Sequence, residues 1–261
     1  MKRIQILLYI FCSLLLSAQT TQLELDGAIQ IGMTDESTPE PGTIRWNGVD
    51  FEGWNGYEWL SLTGVAPPLV DIDENIYRTI QIGNQTWMSE YLRTSMLNDG
   101  TPIPLVLPAI EWSNTEDPAY SYYNGDPNLN EIYGSLYNFH AVATDKLCPI
   151  GWRVPTINDW ITLRDYVGPD NTGGKLKQRG TAHWDLPNEG AIDEFGFEAL
   201  GSGRRTNDGS YLSLKTLNVL WASDDILGTD GAAYYLHRQL DSFTSSLESK
   251  NTGASVRCVK E

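Results

Sequence analysis

Three side-chain types decide which chemistries this chain of 261 residues could carry: three cysteines, three histidines and 34 carboxylates. His140, His183 and His237 lie far apart, without His-Glu-x-x-His or paired-ligand spacing, so no zinc site is expected. No Gly-x-Ser-x-Gly elbow offers a serine nucleophile. Oxygen-rich stretches suit a hard cation better. Asp126, Asn128 and Asn130 in one stretch, and Asp224-Asp225 in another, have the side chains that calcium takes, with solvated loop polarity as the alternative reading. Asp71-x-Asp73-x-Asn75 also begins like a calcium loop. It has Ile76 where an EF-hand needs glycine and Ile82 where it needs glutamate, so it reads as the lead-in to a strand. No carboxylate pair can be assigned as acid and base by spacing. A non-enzyme is therefore expected, with a carbohydrate-active hydrolase using loop carboxylates as a further alternative.

Aromatic side chains are the other chemically useful group. Nine tryptophans and thirteen tyrosines are many for this length. Trp87, Trp152 and Trp160 read as core. Trp112, Tyr120, Tyr122 and Tyr123 fall in a loop-rich stretch and read as rings free to stack on a sugar or a protein surface, and Trp221 joins them beside Asp224-Asp225.

The elements that would position these groups begin with an export signal. Lys2-Arg3 precedes an apolar run from Ile4 to Leu16, and Ser17-Ala18-Gln19 follow: a signal peptide over 1–18, cleaved after Ala18. A buried N-terminal helix is the alternative. Cys12 lies inside the apolar run rather than at the cleavage point, so no lipid attachment is expected. No other stretch approaches the ~20 apolar residues of a membrane helix. Removing the signal leaves 16 basic against 34 acidic residues, a net charge of −18. That balance argues against nucleic acid and anionic lipid as partners. It also leaves only Cys148 and Cys258, most simply one disulfide in an exported protein, with two unpaired buried thiols as the alternative. The expected location is secreted or cell-surface.

Val65-Ala66-Pro67-Pro68 marks a boundary, because consecutive prolines stiffen the chain and force extended geometry before them. The segment 20–66 alternates at Ala28–Ile31, Gly42–Trp46 and Gly56–Leu60, with turns at Pro39–Gly42, Asn47-Gly48 and Asn55-Gly56. It is a short β module, too small to bury much surface alone. From Val70 the chain reads as one α+β domain over 70–261. Tyr77–Ile82 and Gln85–Met88 flank Gly83-Asn84 as a β-hairpin. Two helices are predicted. One spans Gly134–Thr144; the other starts at Thr156, whose side chain and Asp159 form a capping-box pattern, and ends at Gly168-Pro169.

Several stretches in order carry a resemblance. They include Ile82-Gly83-Asn84-Gln85-Thr86-Trp87-Met88, Asn98-Asp99-Gly100, Tyr133-Gly134-Ser135-Leu136-Tyr137-Asn138, Leu147-Cys148-Pro149-Ile150-Gly151-Trp152-Arg153-Val154-Pro155-Thr156, Gly174-Lys175-Leu176-Lys177 and Ser255-Val256-Arg257-Cys258. Together they resemble the FISUMP family, the Fibrobacter succinogenes major paralogous domain. The resemblance implies a C-type-lectin-like fold: two helices, a small antiparallel sheet, long loops, adjacent first and last strands, and a disulfide from Cys148 to Cys258. The stretch from Gly151 and the closing Val256-Arg257-Cys258 are also similar to the sulfatase-modifying-factor branch of that fold, whose cysteine chemistry needs a spare thiol this chain lacks. One departure is Leu220-Trp221-Ala222-Ser223-Asp224-Asp225 where the family has Trp-Trp-Ser-Ser-Thr. The module resembles short β modules of fibre-like exported proteins, which pack as trimers, so a homotrimer through 20–66 is expected. The functional expectation is a non-enzymatic binding or adhesion module for glycans or protein surfaces, with a structural surface component as the alternative.

Overall fold

The structure, a computed structural model, describes residues 39–46, 51–62 and 68–261. The signal at 1–18, the Ala28–Ile31 alternation, the Asn47-Gly48 turn and most of the Val65–Pro68 boundary lie outside the described residues.

In the module, β1 (Ile44–Trp46), β2 (Phe51–Trp54) and β3 (Trp59–Ser61) form an antiparallel sheet in that order. The β2–β3 turn is fixed by Asn55, whose Oδ1 accepts from the backbone N–H groups of Tyr57 and Glu58, both at 2.8 Å. Cross-strand register puts Arg45, Glu52, Trp54 and Trp59 on one face. That face closes on itself: Arg45 lies 2.8 Å from Glu52 and stacks 4.0 Å over the Trp59 ring. Ile44, Trp46, Phe51 and Leu60 occupy the other face, where Ile44, Phe51 and Leu60 stay exposed. Three strands this short cannot enclose a core.

The large domain opens with β4 (Leu69–Val70) and β5 (Ile76–Tyr77), paired around Asp71. The Asp71 carboxylate accepts from the N–H groups of Asp73 and Asn75 and from the Tyr77 hydroxyl, so the rejected calcium loop is an Asx-type turn into a strand. The hairpin follows as β6 (Thr79–Ile82) and β7 (Gln85–Met88), joined by Gly83-Asn84. Gly83 has φ +61°, and a Cβ there would sit 2.8 Å from the Tyr166 ring, so position and packing both exclude a side chain.

Next come α1 (Ala109–Asn114), β8 (Tyr120–Ser121), α2 (Pro127–Tyr133), β9 (Leu136–Tyr137), α3 (Phe139–Val142), β10 (Trp152–Arg153), α4 (Ile157–Val167) and α5 (Thr172–Leu176). The C-terminal part is β11 (Ser202–Arg205), β12 (Tyr211–Leu214), β13 (Leu217–Ile226), β14 (Asp230–His237), β15 (Thr244–Ser249) and β16 (Val259–Lys260). One sheet has the order β10-β16-β7-β6, which seats the last strand against the first hairpin. A larger sheet has the order β12-β11-β13-β14-β15, with a parallel step between β11 and β13. One core gathers Tyr137, Phe139, Trp221 and Val256; a second gathers Trp87, Trp160, Trp184, Phe197 and Tyr234.

The architecture is mixed α+β and largely β, which corrects two expectations. The described residues contain five α-helices instead of two, and two larger sheets instead of one small one. The predicted Gly134–Thr144 helix is broken. Gly134 takes φ +71° as the C-cap of α2, with Tyr91 packed against it too closely for any Cβ. Leu136–Tyr137 then pairs with β8, and only Phe139–Val142 is helical, started by Asn138 accepting from the Ala141 N–H. Strand pairing with distant chain overrides the local helical spacing there. The capping box at α4 is present, with Thr156 and Asp159 bonding each other's backbone N–H groups and Gly168 at the C-cap.

Cys148 and Cys258 form a disulfide with Cα atoms 6.0 Å apart, both buried. It clasps the loop after α3 to the chain entering β16.

Candidate functional site

The expected aromatic surface is not where its residues are. Trp112, Tyr120, Tyr123 and Trp221 are buried, and Tyr122 is half-buried. Trp112 donates to the Asn251 carbonyl at 2.7 Å, and Trp221 to the Tyr137 carbonyl at 2.7 Å. The reason is amphipathic anchoring: large rings fill the core beneath long loops while each indole N–H finds a carbonyl. The four buried rings are therefore closed to a ligand.

The oxygen-rich stretches do structural work too. Asp126 N-caps α2 by accepting from the Asn128 N–H at 2.9 Å, and Asn130 accepts from the Ser135 hydroxyl. Asp224 accepts from the Ile157 N–H at 2.7 Å, capping the start of α4, and Asp225 pairs with Lys250 at 2.7 Å. Among the described residues no group of three or more histidine, cysteine or carboxylate side chains could hold a metal ion.

Sequence reasoning missed a set of buried cations that hold the loops. Lys177 donates to the carbonyls of Glu189, His237 and Leu240 at 2.7–3.1 Å. Arg205 donates to the carbonyls of Val106, Leu107 and Gly209 and lies 4.3 Å over the Trp112 ring. Arg257 donates to the carbonyls of Phe197 and Glu198 between the rings of Tyr91 and Phe197, 4.4 and 4.2 Å away. Among the described residues none of the three has a carboxylate within ion-pair distance. Carbonyl dipoles and ring faces offset their desolvation instead. Burial pulls the Lys177 ammonium down to about 8, and it also lowers Arg205 and Arg257. Two of these cations, Lys177 and Arg257, lie in the motif stretches; for Arg257, a basic residue between Val256 and Cys258 was the signal.

One of the clamps, Arg257, borders a polar cleft of about 200 Å³. Its walls come from residues flanking the hairpin (Arg78, Ser89), from the chain after it (Arg93), from α2 (Glu131) and from the loop before β11 (Gln178, His183). Arg78 is fully committed, bonded to Glu90 at 3.0 Å and Glu198 at 2.7 Å. His183 Nδ1 lies 3.2 Å from the Tyr133 hydroxyl. Burial, reinforced by Lys215, holds His183 below the ordinary histidine value, and burial with nearby Asp185 pushes Tyr133 up to about 12. At neutral pH the pair is an uncharged imidazole beside an intact phenol. The Glu131 carboxylate, the Gln178 amide and His183 Nε2 make no hydrogen bond within the described residues. They present an acceptor, a donor–acceptor and a third polar group around one space, with Arg93 as a cation at its margin.

Fold and cleft together define a disulfide-clasped, largely β domain with loops pinned by buried cations. The chain matches the family model of the Fibrobacter succinogenes major domain over residues 80–260, and it belongs to that family. No curated protein and no solved structure matches it.

Proposed function

We propose that the chain is exported and acts outside the cell as a non-catalytic binding or adhesion module, with the polar cleft as its ligand site. The observation that carries the site is the convergence of the Glu131 carboxylate, the Gln178 amide and His183 Nε2, which make no hydrogen bond within the described residues, on one cleft bordered by Arg257. Groups of mixed donor and acceptor character suit a hydroxyl-rich ligand such as a glycan, or polar side chains of a surface protein. Export rests on the basic-apolar-small pattern of residues 1–18, and the clasp of two cysteines fits an oxidising compartment. The C-type-lectin-like arrangement belongs to this reading as well. A glycan and surface-protein screen tests it. Hits that weaken at least fivefold with Glu131→Gln and Gln178→Ala support it; hits unaffected by both, or none at all, remove it.

The exposed face of the module favours a second reading, a structural surface component. Ile44, Phe51, Leu60 and Leu62 leave apolar surface open on a sheet too small to stand alone. Homotrimers through 20–66 would cover it. Light scattering on the chain with and without residues 20–66 decides: a monomer in both forms ends this reading.

A further inference from the structure

A second depression, remote in chemistry from the polar cleft, follows the free edge of the five-stranded sheet. β15 ends the strand order, and among the described residues it pairs only with β14. Register sets Leu247 opposite Ala232 and Ser245 opposite Tyr234, so these four share one sheet face. α4 packs on that face over β13 and β14, with Trp160 donating to the Trp221 carbonyl and its ring 5.8 Å from Tyr234. It stops short of β15, leaving Leu247 59% exposed. Between them lies a groove of about 350 Å³, walled by Ile157 and Ile161 on the helix and by Ser245 and Leu247 on the strand.

Arg164 lines this groove and also a wider cleft of about 770 Å³ that continues it along residues 241–243. That end carries Asp165, Asp170 and Asp241. Asp170 and Asp241 make no ion pair among the described residues, and Asp165 makes only a 3.5 Å contact with its neighbour Arg164. The free strand thus borders the apolar end, and the acidic end continues the trough along the chain that leads into β15.

We propose that this trough binds an extended segment of a partner protein, hydrogen-bonded to the outer edge of β15. Apolar side chains of the segment lie against Ile157, Ile161 and Leu247, and a lysine or arginine meets Asp165, Asp170 and Asp241. An unpaired edge presents backbone N–H and C=O groups at strand spacing and accepts a further strand, while pockets beside it choose the side chains. Charge decides the occupant. A second copy would offer its own β15, whose six residues include Glu248 and no basic side chain, from a chain of net charge −16. A basic-ended foreign segment complements the acidic end; a second copy does not.

A displayed library of random octapeptides, selected on the whole chain, tests this. Enriched peptides should combine alternating apolar residues with a lysine or arginine near one end. Their binding should weaken about tenfold or more with D165N/D170N/D241N, three exposed-site charge removals of modest individual worth. N-methylation of alternate peptide residues should abolish binding, and the bound peptide should slow hydrogen exchange at Thr244–Ser249. Enriched peptides without a basic bias, binding insensitive to N-methylation, or no enrichment would each overturn the proposal. So would protection of Thr244–Ser249 that rises with protein concentration in the absence of peptide, since that outcome means pairing between copies.

Discussion

Arg257 shows what it takes to bury a cation that has no carboxylate at ion-pair distance among the described residues. Its guanidinium is held by two carbonyls and two ring faces, and those carbonyls belong to the loop that forms one side of the polar cleft. Arg257→Met leaves the Phe197 and Glu198 carbonyls without donors, and a loss of about 2–4 kcal/mol is expected, read from the urea midpoint at unchanged slope. Histidine gives the pH dependence at this scale. Burial lowers both His183 and His237, with Lys215 acting on the first and Arg238 and Lys177 on the second. In the window below 6.5 the unfolded chain therefore binds more protons than the folded one, so stability falls as pH drops through it. Urea midpoints measured across that range should decline towards acid, and H183Q/H237Q should flatten the decline.

At the scale of elements, α4 is the piece whose limits are written most plainly in its residues. Thr156 and Asp159 satisfy each other's N–H groups, and Asp224 reaches from β13 to the Ile157 N–H. Thr156→Ala should cost about 1 kcal/mol of stability, measured by thermal or urea unfolding. The hairpin of β6 and β7 was equally legible, because alternation and a Gly-Asn turn fix the same register. The stretch from Gly134 was not. Its helical spacing of apolar residues is real, but Leu136 pairs with Ser121 and Tyr137 with Tyr120 and the distant Ala254, which no local pattern encodes. Trp112 and Trp221 misled for a related reason: loop position suggested exposure, while their ring size made them the fill beneath the loops. The cleft residues Glu131, Gln178 and His183 carried no local signal, since they converge only through the fold.

For the whole molecule, the disulfide and the buried cations share one task. A domain with many short strands and long connections is fixed by cross-links that tie distant chain together: Cys148 to Cys258, Lys177 to the 237–240 region, and Arg205 to Val106 and Leu107. Closing a loop with a sequence separation of 110 restricts the unfolded chain, worth about 4–5 kcal/mol in the loop-entropy account. C148A/C258A should lose stability of that order, read from denaturant midpoints under non-reducing conditions. On the proposed reading the polar cleft, with Arg257 in its wall, is formed before any ligand arrives. The most direct test is to titrate the strongest hit of the glycan and surface-protein screen into isotope-labelled chain and follow amide shifts. The account predicts the largest shifts at Glu131, Gln178 and His183, with little change at the β13–β14 core. Saturable binding that leaves those three unshifted and moves another surface would contradict it.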